Sequence, residues 1–143
     1  MIFGQLALVV AALFSGAAAY VNLAEQPARL MLDDRALLVE WQPAYKHGFA
    51  MQAPLAVIGF LLGLLAWRYT DDWRWVMGAI ILVANWPFTL LAIKPTNNKL
   101  MATDPSQAGP QSRALIQTWG RLHAVRTSLG IGATFTFLWA SLS

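Results

Sequence analysis

The sequence predicts an all-α fold: four membrane-spanning helices running up and down as a bundle, in a single transmembrane domain over residues 1–143. Three observations predict it. Hydrophobic residues fill 57% of the 143 positions and charged ones only 12%, about half the charged share of an ordinary soluble domain. The apolar residues gather in four stretches near the roughly 20 residues a spanning helix needs, without the two-residue alternation of strands. A helix also satisfies its own backbone inside lipid. Seven Trp in so short a chain fit a molecule with two membrane interfaces, where indole rings settle.

The first span covers residues 2–23 and carries no charge. Its Gly16-Ala17-Ala18-Ala19 end is similar to a signal-peptide cleavage site, yet no Lys or Arg precedes the run, so the segment is expected to stay as a span. The first connection, residues 27–41, mixes Leu30, Leu32, Leu37, Leu38 and Val39 with charges, the pattern of a short amphipathic helix at the interface. The second span covers residues 51–67, with Pro54 expected to bend it. Thr70-Asp71-Asp72 is a tight turn that caps the third span, residues 73–93. Pro95 reads as its stop signal and residues 104–110 as a loop. Ser112 is a candidate cap for a helix that begins outside the membrane and crosses it over residues 119–142. Small-residue steps at Gly59/Gly63, Ala12/Gly16 and Gly130/Thr134 predict close helix packing within the bundle, with a homo-oligomer as their other use.

Lys and Arg set orientation. Arg29, Arg35, Lys46, Lys94, Lys99, Arg113 and Arg121 flank one side; only Arg68 and Arg74 flank the other. The count predicts both termini on the non-cytoplasmic side of a bacterial inner membrane. Trp67, Tyr69, Trp73, Trp75 and Trp139 would form the outer aromatic belt, and Trp41, Tyr45 and Trp119 the inner one.

Several function classes are closed off. With no Cys and two His, the chain has no disulfide, thiolate metal site or thiol–quinone exchange, and no dihaem set of four imidazoles. The net charge of +3 forms no basic stripe, so no nucleic-acid partner is expected.

Polar residues inside a membrane are expensive and mark function. Here Asn22, Glu25, His47, Gln52, Asn85, Thr89, Asn97, Asn98, Trp119, His123 and Arg126 all fall toward helix ends that an up-and-down arrangement brings to one face. Trp119, His123 and Arg126 are four and three residues apart and share a helix face. Arg126 sits about 10 Å beyond Trp119 and needs a partner, for which Glu25 is the nearest carboxylate in the sequence.

Three segments resemble the anthrone oxygenase-like family of small four-helix membrane proteins: Glu25-Gln26-Pro27-Ala28-Arg29, Trp86-Pro87-Phe88-Thr89-Leu90-Leu91 with Lys94-Pro95-Thr96-Asn97-Asn98-Lys99-Leu100, and Trp119-Gly120-Arg121-Leu122-His123-Ala124-Val125-Arg126. The resemblance spans essentially the whole chain. It implies oxidation of an anthrone, a ring system with an acidic CH₂, to an anthraquinone by dioxygen, without flavin or haem. On that reading His123 is the base, Arg126 stabilises the oxyanion and Glu25 orients His123 or balances Arg126. Asn97, Asn98 and Asn22 would add hydrogen bonds, while Trp119, Trp86, Thr89 and Tyr20 line the substrate pocket. The expected partners are a hydrophobic small molecule or lipid, and dioxygen; no cofactor is predicted. Two other readings stay open. One is a metal or haem oxidase using His123, Glu25 and His47. The other is a non-enzymatic subunit that binds a lipid or quinone.

Overall fold

Apolar runs interrupted by proline set the architecture. The computed structural model describes residues 1–142. Helix α1 (Ile2–Tyr20) leads through a π-turn at Val21–Glu25 into the short α2 (Gln26–Arg29), making one helical arm. Helix α3 (Asp34–Thr70) is the second arm. The third is α4 (Trp73–Val83), α5 (Asn85–Phe88), a second π-turn at Thr89–Ile93 and α6 (Lys94–Met101). After a 3₁₀ turn at Pro105–Gln107, α7 (Pro110–Ser141) is the fourth. The first three arms are each long and apolar enough to cross a membrane. Helices α1 and α4 each pack against both α3 and α7.

The two π-turns have one cause. Each ends two residues before a proline, and the N–H of the next residue closes it: Gln26 N–H donates to Val21 O and Lys94 N–H to Thr89 O. Pro27 and Pro95 have no N–H, and their rings crowd the carbonyl four residues back. A wider turn relieves that crowding and lets the helix go on; single π-turns inside helices are frequent at functional sites. Pro95 is therefore not a stop: α6 continues to Met101, with Asn97 and Asn98 inside the helix.

The first connection also differs from expectation. Instead of a separate amphipathic helix over residues 27–41, α2 ends at Arg29 and Asp33 caps a new helix by accepting from Ala36 N–H at 2.8 Å. That helix runs unbroken through Pro43 and Pro54 to Thr70. Leu37 and Leu38, fully buried, pack with Trp41, Ile93, Leu100, Ile116 and Trp119. Arg113 of α7 clasps the connection, pairing with Asp34 and donating to the carbonyls of Leu30 and Leu32.

At the turn between the second and third arms, Asp71 is left-handed at φ 55° and Asp72 accepts from Arg74 N–H at 3.0 Å, as the sequence predicts for a capping turn. Arg74 also pairs with Asp72 at 2.6 Å and holds its carboxyl below the usual range. Ser112 works from inside α7 rather than as its cap: its hydroxyl accepts from Gly109 N–H at 3.0 Å.

Half of the core is built from small residues and large rings. Ala7, Ala11, Phe14, Trp75, Ala79, Leu82, Ala133 and Phe137 form it. Gly59 faces Leu82, while Gly63 and Gly78 lie against Phe137, so the Gly59/Gly63 step serves packing inside the chain. Gly130 lies against Phe14, and Thr134 bonds Ser15 at 2.8 Å. Ala12 and Gly16 face outward. Three belt residues are core residues instead: Trp41 is fully buried, and Trp75 and Trp119 nearly so. Trp67, Tyr69, Trp73 and Trp139 are exposed.

Candidate functional site

Asn22, carried on the first π-turn, organises the polar end of the molecule. Its Nδ2 donates to Gly120 O at 2.9 Å, which turns Oδ1 the other way. There Oδ1 accepts from Thr127 Oγ1 at 2.6 Å and lies 2.7 Å from His123 Nδ1. Because that oxygen can only accept, His123 must carry its proton on Nδ1. Nε2 then holds the free lone pair. His123 is 2% exposed and stacks on Trp119, ring centroids 4.9 Å apart.

Beside it lies a cavity of about 430 Å³ between α1, the start of α3 and α7, within the range of small-molecule sites. His123, Arg126 and Trp119 line it, with the more exposed Tyr20, Glu25 and His47. Arg126 is held by Gln52, whose Oε1 accepts from Nη2 at 3.2 Å, and its guanidinium lies over Phe14 at 5.7 Å. Arg126 also borders a second, smaller chamber with Asn85, Trp86 and Thr89. Trp86 Nε1–H donates to Ala53 O at 3.2 Å, fixing its ring there.

The expected partner of Arg126 is elsewhere. Glu25 pairs with Arg29 at 2.8 Å, and Arg29 reaches Glu40 at 2.9 Å. The Arg29 side chain is 2% exposed and lies over the Trp119 ring at 5.5 Å. Glu25 is paired with Arg29 instead, and the hydrogen-bond partners of Arg126 and His123 are Gln52 and Asn22. The i,i+4 spacing of Glu25 and Arg29 was the available signal for this pair, whereas Glu40 comes from another helix.

The structure brings Tyr20, Glu25, Trp119, His123 and Arg126 to one cavity, with Asn22 behind His123 and with Trp86 and Thr89 on the adjoining chamber. Asn97 is buried in α6 and Asn98 is exposed, and neither lines the cavity. Asn97 instead packs toward the interior with its Oδ1 unpartnered. His47, Glu25 and His123 share the cavity, yet among the described residues no three His, Asp or Glu side chains are close enough to hold one ion. Tyr45 and Phe49 also line the wall; Tyr45 stacks on Trp41 at 5.0 Å, which in turn meets Trp119 edge-on at 5.7 Å.

Chemically, the cavity offers a lone pair at Nε2, a guanidinium one helical turn away and walls rich in aromatic carbon. A family model described as anthrone oxygenase matches residues 41–136, so the Glu25–Arg29 segment lies outside the matched stretch. A protein named "Anthrone oxygenase" from Claviceps purpurea (strain 20.1) is 30% identical over 114 residues, covering 71% of this chain and 66% of that relative. No solved structure matches the chain.

Proposed function

This chain belongs to the anthrone oxygenase family, and on that premise we propose that it is a membrane oxygenase acting on a flat, hydrophobic aromatic ketone with an acidic ring CH₂. Its four helical arms form an up-and-down bundle, and the substrate occupies the 430 Å³ cavity. The observation that carries the reading is the fixed tautomer of His123. Asn22 Oδ1 accepts a hydrogen bond from Nδ1–H, which leaves the Nε2 lone pair of this cavity-lining residue as the base.

His123 Nε2 removes a proton from the ring CH₂, leaving an enolate. The Arg126 guanidinium stabilises the enolate oxygen as its charge develops, an electrostatic effect strengthened where water is excluded. The enolate carbon passes one electron to dioxygen, and the carbon radical and superoxide combine to a peroxide. The imidazolium protonates that peroxide. Loss of the second ring proton with cleavage of the O–O bond then gives a new carbonyl and water. The sum balances: one CH₂ and one O₂ become one C=O and one H₂O.

The test is turnover of an anthrone by the detergent-purified protein under ¹⁸O₂. One labelled oxygen in the new carbonyl of each product, and one in water, is the expected result. Anthrone binding without oxygen consumption would instead mark an accessory subunit that only holds an aromatic ligand.

A further inference from the structure

The smaller chamber next to the substrate cavity has a volume of about 20 Å³, a little above the roughly 10–15 Å³ that one water-sized guest takes. Phe49, Ala53 and Trp86 supply its carbon walls, and Asn85, Thr89 and Arg126 its polar groups. Asn85 is 2% exposed. Its Nδ2 donates to Leu82 O at 2.9 Å, and its Oδ1 is buried with no partner. Arg126 is 7% exposed, and its Nε is also buried and unpartnered. Both residues line a chamber of one-guest size, and buried polar atoms without a partner are costly unless a guest completes them. Arg126 borders both spaces, so such a guest would share its guanidinium with the organic substrate.

We propose that this chamber is the dioxygen subsite, a reading that rests on the oxygenase function above. Neutral dioxygen has little to gain from a guanidinium N–H or a hydroxyl. Once it takes one electron from the enolate carbon, the superoxide accepts hydrogen bonds from Arg126 Nε–H and the Thr89 hydroxyl. The site therefore holds the reduced form more strongly than the neutral one, which is what lowers a barrier. When the peroxide forms its C–O bond and takes the proton from the His123 imidazolium, its O–H has an acceptor in Asn85 Oδ1. The carbon walls suit the entering gas, and the chamber is too small for the aromatic substrate. The second π-turn starts at Thr89, so the helix distortion caused by Pro95 falls on a residue of this chamber.

The experiment is steady-state oxidation of an anthrone at varied dissolved oxygen, comparing wild type with Thr89→Val and Ala53→Leu. Thr89→Val keeps the side-chain shape and removes the hydroxyl; Ala53→Leu fills the chamber. Both should lower kcat/KM for oxygen about fivefold to tenfold, while anaerobic binding of the anthrone stays within about twofold. Wild-type turnover with kcat/KM for oxygen unmoved in both variants would overturn the subsite alone, as for a chamber holding only structural water. If Ala53→Leu fails to fold, Thr89→Val decides. No oxygen consumption by the wild type would overturn the oxygenase reading, and the subsite with it.

Discussion

Every polar atom of the Asn22 side chain is committed: Nδ2 to Gly120 O, Oδ1 to Thr127 and His123. Asn22→Leu removes the acceptor that fixes the Nδ1 proton, so kcat should fall about 10²-fold with the anthrone KM nearly unchanged. Asn22→Asp, which keeps an acceptor toward His123, should recover part of the rate. Equal losses in both variants would mean that Asn22 matters only for packing. Arg29 predicts a different outcome. Its buried guanidinium pairs with Glu25 and Glu40, which are 27% and 32% exposed. Arg29→Met leaves two carboxylates facing each other, and thermal unfolding in detergent should show a loss of about 3 kcal/mol, the low end for a broken buried pair because the carboxylates reach water. Adding Glu25→Gln and Glu40→Gln to that variant should restore most of it. The His123/Arg126 pairing was readable from spacing along one helix. The roles of Asn22 and Gln52 were not, because each depends on a contact from a different arm.

Hydropathy made the helical arms legible, three of them apolar enough to cross a membrane, since it depends on runs of side chains and not on partners. It missed how prolines act within them. Pro27 and Pro95 each follow an i→i+5 bond and leave the helix continuous, whereas a reading by local propensity takes Pro95 as an end. The inserted residue of a π-turn rotates what lies beyond it, and Asn22 and Thr89 sit on the two turns. Pro27→Ala restores the N–H and removes the crowding, allowing α1 to run into α2 with ordinary α-helical bonds. Turnover should then drop at least about tenfold while the unfolding temperature holds or rises. An unchanged rate would separate the first π-turn from the chemistry.

Across the whole molecule, glycines and alanines let the arms approach, and the rings of Phe14, Trp75 and Phe137 fill what remains. A Cβ at Gly78 would come within 2.6 Å of Phe137, while one at Gly16 meets nothing within 4 Å. Gly78→Leu should cost about 1–3 kcal/mol by overpacking, and Gly16→Leu much less, as read by thermal unfolding in detergent. The sequence spacing showed the Gly59/Gly63 and Ala12/Gly16 steps but not that the first faces inward and the second outward. The polar cavity at the other end holds His123 and Arg126, and the base in that cavity is the account's central claim. Oxygen uptake during anthrone oxidation by wild type and His123→Gln tests it most directly. The account predicts one oxygen consumed per anthrone in the wild type and a loss of at least about 10²-fold in the variant. A His123→Gln protein that consumes oxygen at the wild-type rate would contradict it.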